Sequence, residues 1–381
     1  MVGRVTERHD IPELSVSPLE LFFDLVFVFA VTQTVALVGH NPTPTGVLGG
    51  ALVFFMLWWA WQQYTWGINS VGNERFWVRL ALILAMGLSL LMGLVVVDAF
   101  GDEGHLFGIA YSLVLFVGLA LFYAGLDSTE ERQVLLQYLP LAVAGGVVVL
   151  VGSFLSPSWR VAAWVTGMVL ELLATKTAEG YDFKLKPAHF AERHSLFVIL
   201  ALGESVVAIG LAAAELDRSL EVTIALGAAF LGSVTIWWLY FGRFASGAEA
   251  ALQRAVGGTR TRLARDLYTM GHFPLVFGIV MFAVVAEEIV AHPSDPLTTA
   301  GRWIFVLAVV LITFGLIGAV TRAGGPLLWE RAVAGVIVVA VGLFILAAGW
   351  AVVLGFVAAM AIAMFAEDRR LAGVAGPALT E

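Results

Sequence analysis

Of the 381 residues, 60% are hydrophobic and only 13% are charged, with 26 Phe and 12 Trp, whereas a soluble domain carries roughly 45–50% apolar and about 25% charged residues. Too little polar surface remains to cover a water-soluble particle of this size, so the chain reads as an all-α, polytopic transmembrane helix bundle whose first partner is the lipid bilayer. The net charge of −8 argues against a nucleic-acid partner, which needs clustered basic residues, and the absence of Cys removes disulfides, thiolate metal sites, iron–sulfur clusters and Cys nucleophiles.

The first 17 residues mix Arg4, Glu7, Arg8, His9, Asp10 and Glu13. That mixture predicts an uncleaved cytoplasmic segment rather than a secretory signal. A crossing helix needs about 20 apolar residues, and such windows fall at 18–39, 46–66, 77–97, 105–125, 136–154, 159–176, 194–214, 221–242, 267–290, 301–320, 330–347 and 350–366. The last two form one apolar run from Arg331 to Ala366, which as a single helix would be about 54 Å long. No plausible tilt accommodates that length, so the run is split near Gly349-Trp350. With the N-terminus inside, 18 of the 21 Lys and Arg residues fall on inner segments. Arg160, Arg218 and Arg302 alone face outward, a strong positive-inside signal. Both termini are expected in the cytoplasm, with the tail 368–381 inside a plasma membrane. The outer face carries nine acids, Glu287 and Glu288 among them, and an acidic mouth concentrates cations unless these are ordinary solvated loop residues.

The chain also repeats. Gln33 to Gly39 in the first span matches Glu204 to Gly210 in the seventh, at an offset of 171 residues. Leu57-Trp58-Trp59-Ala60-Trp61 matches Ile236-Trp237-Trp238-Leu239-Tyr240, and the third and ninth spans both follow an Arg, opening toward Met86-Gly87 and Met270-Gly271. Three matches in register suggest two parallel six-span repeats, 18–180 and 181–367. Repeats with a site between them characterise many secondary transporters.

Residues that are costly to bury then mark the candidate site. Glu20 and Asp24 are four apart and share a helix face; after Ser17-Pro18 they would also suit the positive end of the helix dipole. Asp24 lies about 9 Å deeper than Pro18, among Phe22, Phe23, Val26 and Phe27. An acid at that depth costs roughly 2.5–3.5 kcal/mol on insertion scales unless paired or wetted. Glu204 lies about 15 Å beyond His194, near the midplane, with Ser205 beside it and Gln33 as its repeat counterpart. Arg193 is expected to meet Glu171 or Asp24. His272 precedes Pro274, where a broken backbone ladder frees carbonyls. For Glu204 the alternative role is packing through an interhelical hydrogen bond. The spacing of His189, Glu192 and His194 is wrong for a metal motif, and Gly203-Glu204-Ser205 is not a hydrolase elbow. No catalytic residue, metal or cofactor is therefore assigned. Trp58, Trp59, Trp61 and Trp66 read as an interfacial belt at the outer end of the second span, and Gly335, Gly342 and Gly349 as a packing stripe.

Leu19-Glu20-Leu21-Phe22-Phe23-Asp24-Leu25-Val26-Phe27-Val28-Phe29-Ala30-Val31-Thr32-Gln33, together with Glu192-Arg193-His194 to Leu202-Gly203-Glu204-Ser205, resembles the bacterial low-temperature-requirement A (LtrA) family from about residue 13 to 367. That resemblance implies a polytopic plasma-membrane protein, named for a growth phenotype rather than an activity. Phe22 to Thr32 is also similar to the Phe-Ser-Asp-Gly-Val-Phe-Ala signature of the endolysosomal potassium and proton channel family. That family is built from six-span units, but this chain has Phe23 and Leu25 where the signature has Ser and Gly, and Ser195 where its Asp would repeat.

Together these features point to movement of a proton, a small cation or an ion-coupled solute, with Asp24, Gln33, Glu204 and Ser205 at the site. Glu20, Glu171, Arg193, His194 and His272 would support it. An intramembrane enzyme or redox protein is the alternative, although no motif requires one; a membrane sensor or assembly factor is a third, and self-association is compatible with each. If the repeat holds, Asp24, Gln33 and Glu204 should meet in one cavity and the two Trp pairs should occupy matching outer positions.

Overall fold

A computed structural model describes residues 16–374 apart from 178–180, 182, 184 and 215. The N-terminal segment, the extreme tail and the expected boundary between the halves at 180 and 181 lie wholly or partly outside the described residues. Fourteen α-helices and two π-helical stretches make up the described chain. They are α1 (Pro18–His40), α2 (Pro44–Val71), α3 (Phe76–Leu94), α4 (Gly104–Gly125), α5 (Thr129–Gly152), α6 (Pro157–Thr177), α7 (Pro187–Ala214) and α8 (Leu220–Leu239). A π-helical stretch at Tyr240–Phe244 leads into α9 (Ala245–Arg254) and α10 (Gly258–Leu263), and a second at Ala264–Met270 leads into α11 (His272–Ala291). The chain closes with α12 (Thr299–Arg322), α13 (Trp329–Phe344) and α14 (Gly349–Val374).

Local chemistry sets the starts of the helices. Ser17 and Glu20 cap α1 reciprocally, Pro18 supplies the restrained first position, and the Thr43 hydroxyl accepts from Gly46 N to cap α2. Ten helices are long and apolar enough to cross a membrane, counting Leu220–Arg254 and Gly258–Ala291 as single units. The other two long elements fall outside that set: α6, which carries Arg160, Glu171 and Lys176, is too polar, and α13 has only 16 residues. The apolar run from Arg331 is indeed divided. Helix α13 ends at Phe344 and α14 begins at Gly349, whose N–H donates to Asp295 O at 3.0 Å.

Helices α5 and α6 form a close hairpin. A Cβ on Gly145 would lie 2.8 Å from Gly167 O and 2.6 Å from Glu171 Cγ, so only glycine lets the pair approach this closely. The expected glycine stripe does pack: Gly335 and Gly342 face Thr313 and Phe305 of α12, while Gly349 lies beyond α13 against Ile289 and Leu297. Helix α11 is central and almost wholly buried, touching α1, α2, α7, α8 and α12. The contact between α1–α2 and α7–α11 joins the two parts of the chain, and α1 runs parallel to α7. The end of the bundle where α1 and α7 begin is called inner below, and the opposite end outer.

Candidate functional site

Three polar groups of residues, called levels below, lie in and beside the α1–α7 contact, the first two at nearly one depth because Arg193 and His194 are consecutive in α7. At the inner level Arg193, with no exposed surface, donates through Nη2 to Asp24 Oδ1, and its Nη1 lies 3.9 Å from Glu20 Oε1. The Trp61 indole N–H donates to the same Asp24 oxygen at 2.7 Å, and the Trp61 ring lies 5.4 Å from the guanidinium. His189 Nε2 is 3.1 Å from Glu20 Oε1. Helical rise explains the pairing, since Asp24 and Arg193 each lie six residues into parallel helices and therefore sit at one depth. Of the two partners considered for Arg193, the structure selects Asp24. Glu171 instead accepts a hydrogen bond from the Tyr111 hydroxyl at 2.9 Å within α4–α6.

The second level is a network of neutral hydrogen-bonding groups. His194 Nδ1 donates to Phe190 O at 2.8 Å, which leaves Nε2 to accept from Gln62 Nε2 at 3.0 Å. Gln62 Oε1 accepts from the Thr269 hydroxyl at 3.2 Å, and the Trp66 and Trp58 indoles donate to Thr269 Oγ1 and Thr269 O. The His272 ring centroid lies 5.3 Å from that of His194. His272 Nδ1 donates to Leu267 O at 3.0 Å and its Nε2 accepts from Tyr240 at 2.9 Å. Pro274 does not kink this helix, because α11 starts at His272 and the irregular backbone lies in the π-helical stretch before it. His272 itself takes up a carbonyl of that stretch, and π segments of this kind frequently mark functional positions.

The third level is an open vestibule. A cavity of about 480 Å³ lies between the outer halves of α1, α7, α11 and the start of α12, and its walls include Thr32, His40, Glu204, Glu287, Glu288 and His292. At its floor the Thr32 hydroxyl donates to Glu204 Oε2 at 2.6 Å and approaches Val28 O at 3.2 Å. Glu288 is occupied in part by capping α12, where Thr298 N donates to it at 2.7 Å. Beneath Glu204 the helices turn apolar, with Phe27 and Val31 on α1 and Phe197 and Ala201 on α7 all buried. Phe197 packs on Trp58 and Trp61, so the vestibule ends against a hydrophobic layer above the inner ion pair.

The expected meeting of Asp24, Gln33 and Glu204 in one cavity is not what the structure shows. Asp24 belongs to the inner level, and Gln33 is half-buried with no hydrogen bond among the described residues. Thr32 takes the place expected of Gln33 because one residue turns a helical side chain by about 100°. Ser205 is buried beside Glu204, and its hydroxyl has no partner among the described residues. The Trp residues are a further correction. Trp58, Trp59 and Trp61 are 1%, 2% and 0% exposed and lie toward the inner half of α2, so they form part of the core rather than an outer belt. Trp237 and Trp238, at 46% and 57%, are exposed, and the two pairs are not equivalent in environment. Sequence reasoning assigns none of Thr32, Trp61, Gln62, His189 and Tyr240 to the site: it reads Trp61 as a belt residue, Tyr240 as part of a repeat match and His189 as a misplaced metal ligand, and it passes over Thr32 and Gln62. Gln62-Gln63 inside an aromatic span was the available signal for one of them.

The chain matches the family of bacterial low temperature requirement A proteins (LtrA) over residues 15–366. It is also 30% identical over 326 residues to an uncharacterized protein of Rhizobium meliloti (strain 1021), covering 81% of this chain and 74% of that one. The chain belongs to the LtrA family.

Proposed function

We propose that this LtrA-family protein moves a proton, a small cation or a solute coupled to one across the plasma membrane, through the contact between two parallel six-helix halves. The observation that carries the reading is the vestibule, which is wide enough for water and small ions and stops at a buried carboxylate, Glu204, held by Thr32. A cavity that is open on one side and sealed on the other by apolar side chains and a buried ion pair is the arrangement that alternating access requires. Glutamates and histidines line its mouth and, among the described residues, no Lys or Arg does, which favours cations.

The duplication finds support in repeated neighbours. Helices α1 and α3 pack together, as do their counterparts α7 and α11, and both halves continue through consecutive contacts to their last two helices. The halves differ where α2 contacts α4 but α8 contacts α14. Contacts between α1 and α7 join residues 169 to 173 apart, close to the repeat offset, which is what a two-fold axis along the membrane normal produces. In this reading α6 and α13 are also embedded, sheltered by their neighbours, to complete twelve spans with both termini in the cytoplasm.

The test is a flux screen in proteoliposomes across protons and monovalent cations, with and without a pH gradient. Dissipation of one of these gradients by the wild-type protein is expected. Absence of every flux from folded, reconstituted protein would refute transport and favour a sensor or assembly role.

A further inference from the structure

A second cavity lies at the inner end, on the far side of α2 from the ion pair, and borders the second level through Trp66 and Thr269. Trp59, Trp66, Phe122 and Tyr138 line it, and Thr261 and Arg262 enter it from the segment before α11. At about 100 Å³ it is smaller than the engineered apolar cavities of about 150 Å³ that bind benzene, so a single aromatic ring or a short run of methylenes would fill it.

Three of its polar groups have donor capacity to spare, whereas the Thr175 hydroxyl donates to Leu172 O, the Thr269 hydroxyl donates to Gln62 and Arg265 pairs with Asp266. Arg262 hydrogen-bonds only to the Thr259 hydroxyl, at 3.2 Å, and has no carboxylate partner among the described residues. Tyr138 accepts from Gln63 Nε2 at 2.6 Å, which leaves its own O–H without an acceptor among the described residues, and Thr261 Oγ1 is buried and unpartnered. A guanidinium and two hydroxyls converging on aromatic walls require an acceptor-rich anion with a flat or apolar body. The cavity also reaches Thr269, the residue that Gln62 and Trp66 share with the His194 network. An occupant would therefore touch the His194 network.

We propose that this inner cavity binds a small carboxylic acid with an aromatic or short apolar body, its carboxylate on Arg262 and its ring between Trp59 and Tyr138. The site deepens the transport reading by naming a solute to couple with the ion at Glu204, and it rests on that reading for its role but not for its existence. Equilibrium dialysis of radiolabelled phenylacetate against the full-length protein in detergent measures binding without any flux. Saturable binding is expected, with phenethylamine and 2-phenylethanol failing to compete at equal concentration. Arg262→Gln should weaken it by at least about tenfold and Arg262→Lys by less, because a lysine keeps the charge and loses the fork. Tyr138→Phe, which removes a single hydroxyl, should weaken it by about threefold to tenfold. Competition by the uncharged or cationic analogues, indifference to both Arg262→Gln and Tyr138→Phe, or displacement only by anionic phospholipid vesicles would overturn the proposal, the last by assigning the cavity to lipid. Loss of binding with ion flux intact would remove this inference alone, whereas binding without flux would leave the cavity standing and remove the transport reading.

Discussion

Asp24→Asn is the perturbation that the inner level makes most legible. Arg193 has no exposed surface, so water cannot replace the lost anion. Removing one partner of a buried pair costs roughly 3–5 kcal/mol. Two features place this case at the lower end. Glu20 Oε1 remains 3.9 Å from the guanidinium, and the Trp61 face stays 5.4 Å away. Asparagine also keeps an oxygen for the Trp61 N–H. A loss of about 3 kcal/mol is therefore expected for Asp24→Asn, and a similar loss for Arg193→Gln, which strands the carboxylate on a single indole donor. The double variant removes both charges and lets two amides pair, so it should fall short of the sum by about 1.5–3 kcal/mol. Unfolding in mixed micelles under increasing sodium dodecyl sulfate, followed by circular dichroism, measures all three. Single losses below about 0.5 kcal/mol that simply add in the double variant would refute a buried, coupled pair. If neither single variant accumulates, recovery of folded protein in the double variant is the same prediction in another form.

Further expectations follow from other parts of the bundle. The chain contains no native cysteine, so Ala208→Cys, on the vestibule wall, should react with a small impermeant thiol reagent added from the outer side, and Ala201→Cys beneath the floor should not; equal reactivity would mean that the apolar layer is not closed. Trp58→Phe removes the donor to the Thr269 carbonyl at 2.8 Å and should cost about 1–3 kcal/mol in the same micelle assay, whereas an interfacial anchor would lose almost nothing. A Cβ at Gly342 would lie 3.0 Å from Phe305 Cδ1, so Gly342→Leu should destabilise by about 1–3 kcal/mol through overpacking of α12 and α13, as measured by thermal unfolding. Reporter fusions in the α9–α10 connection and after Glu381 should both read cytoplasmic; an external C-terminus would break the even span count.

Hydropathy made the helices legible because lipid permits few alternatives to a satisfied helical backbone. Its boundaries erred where polar residues are buried in protein. Helix α2 continues to Val71, past the expected end at residue 66, because Asn69 hydrogen-bonds with Lys186 and His189 and so stays inside the bundle. The depth of Asp24 could be counted along the chain, but Arg193 kept two candidate partners, Glu171 and Asp24, and only the start of α7 at Pro187, seven residues before the expected span, puts Arg193 at the depth of Asp24. Direction around a helix was harder to read. Aligning Gln33 with Glu204 placed the right level but the wrong face, and Thr32 occupies the contact. A tryptophan suits both an interface and a core, so only the packing of α2 against α7 and the Ala264–Met270 stretch shows that Trp58 and Trp61 are interior. The Tyr240–His272 contact depends on two π-helical stretches that no local pattern announces.

The central claim is that Glu204 is where the moving ion is held. Flux through reconstituted Glu204→Gln protein, compared with wild type at matched density and across external pH, tests it most directly. Glutamine can still accept from Thr32, so the fold should persist while the ionisable group is gone. The account predicts that flux falls to about a tenth or less, as expected when an essential proton- or ion-binding group is removed, and that whatever remains no longer varies with pH. Wild-type flux with an unchanged pH profile in Glu204→Gln would contradict it.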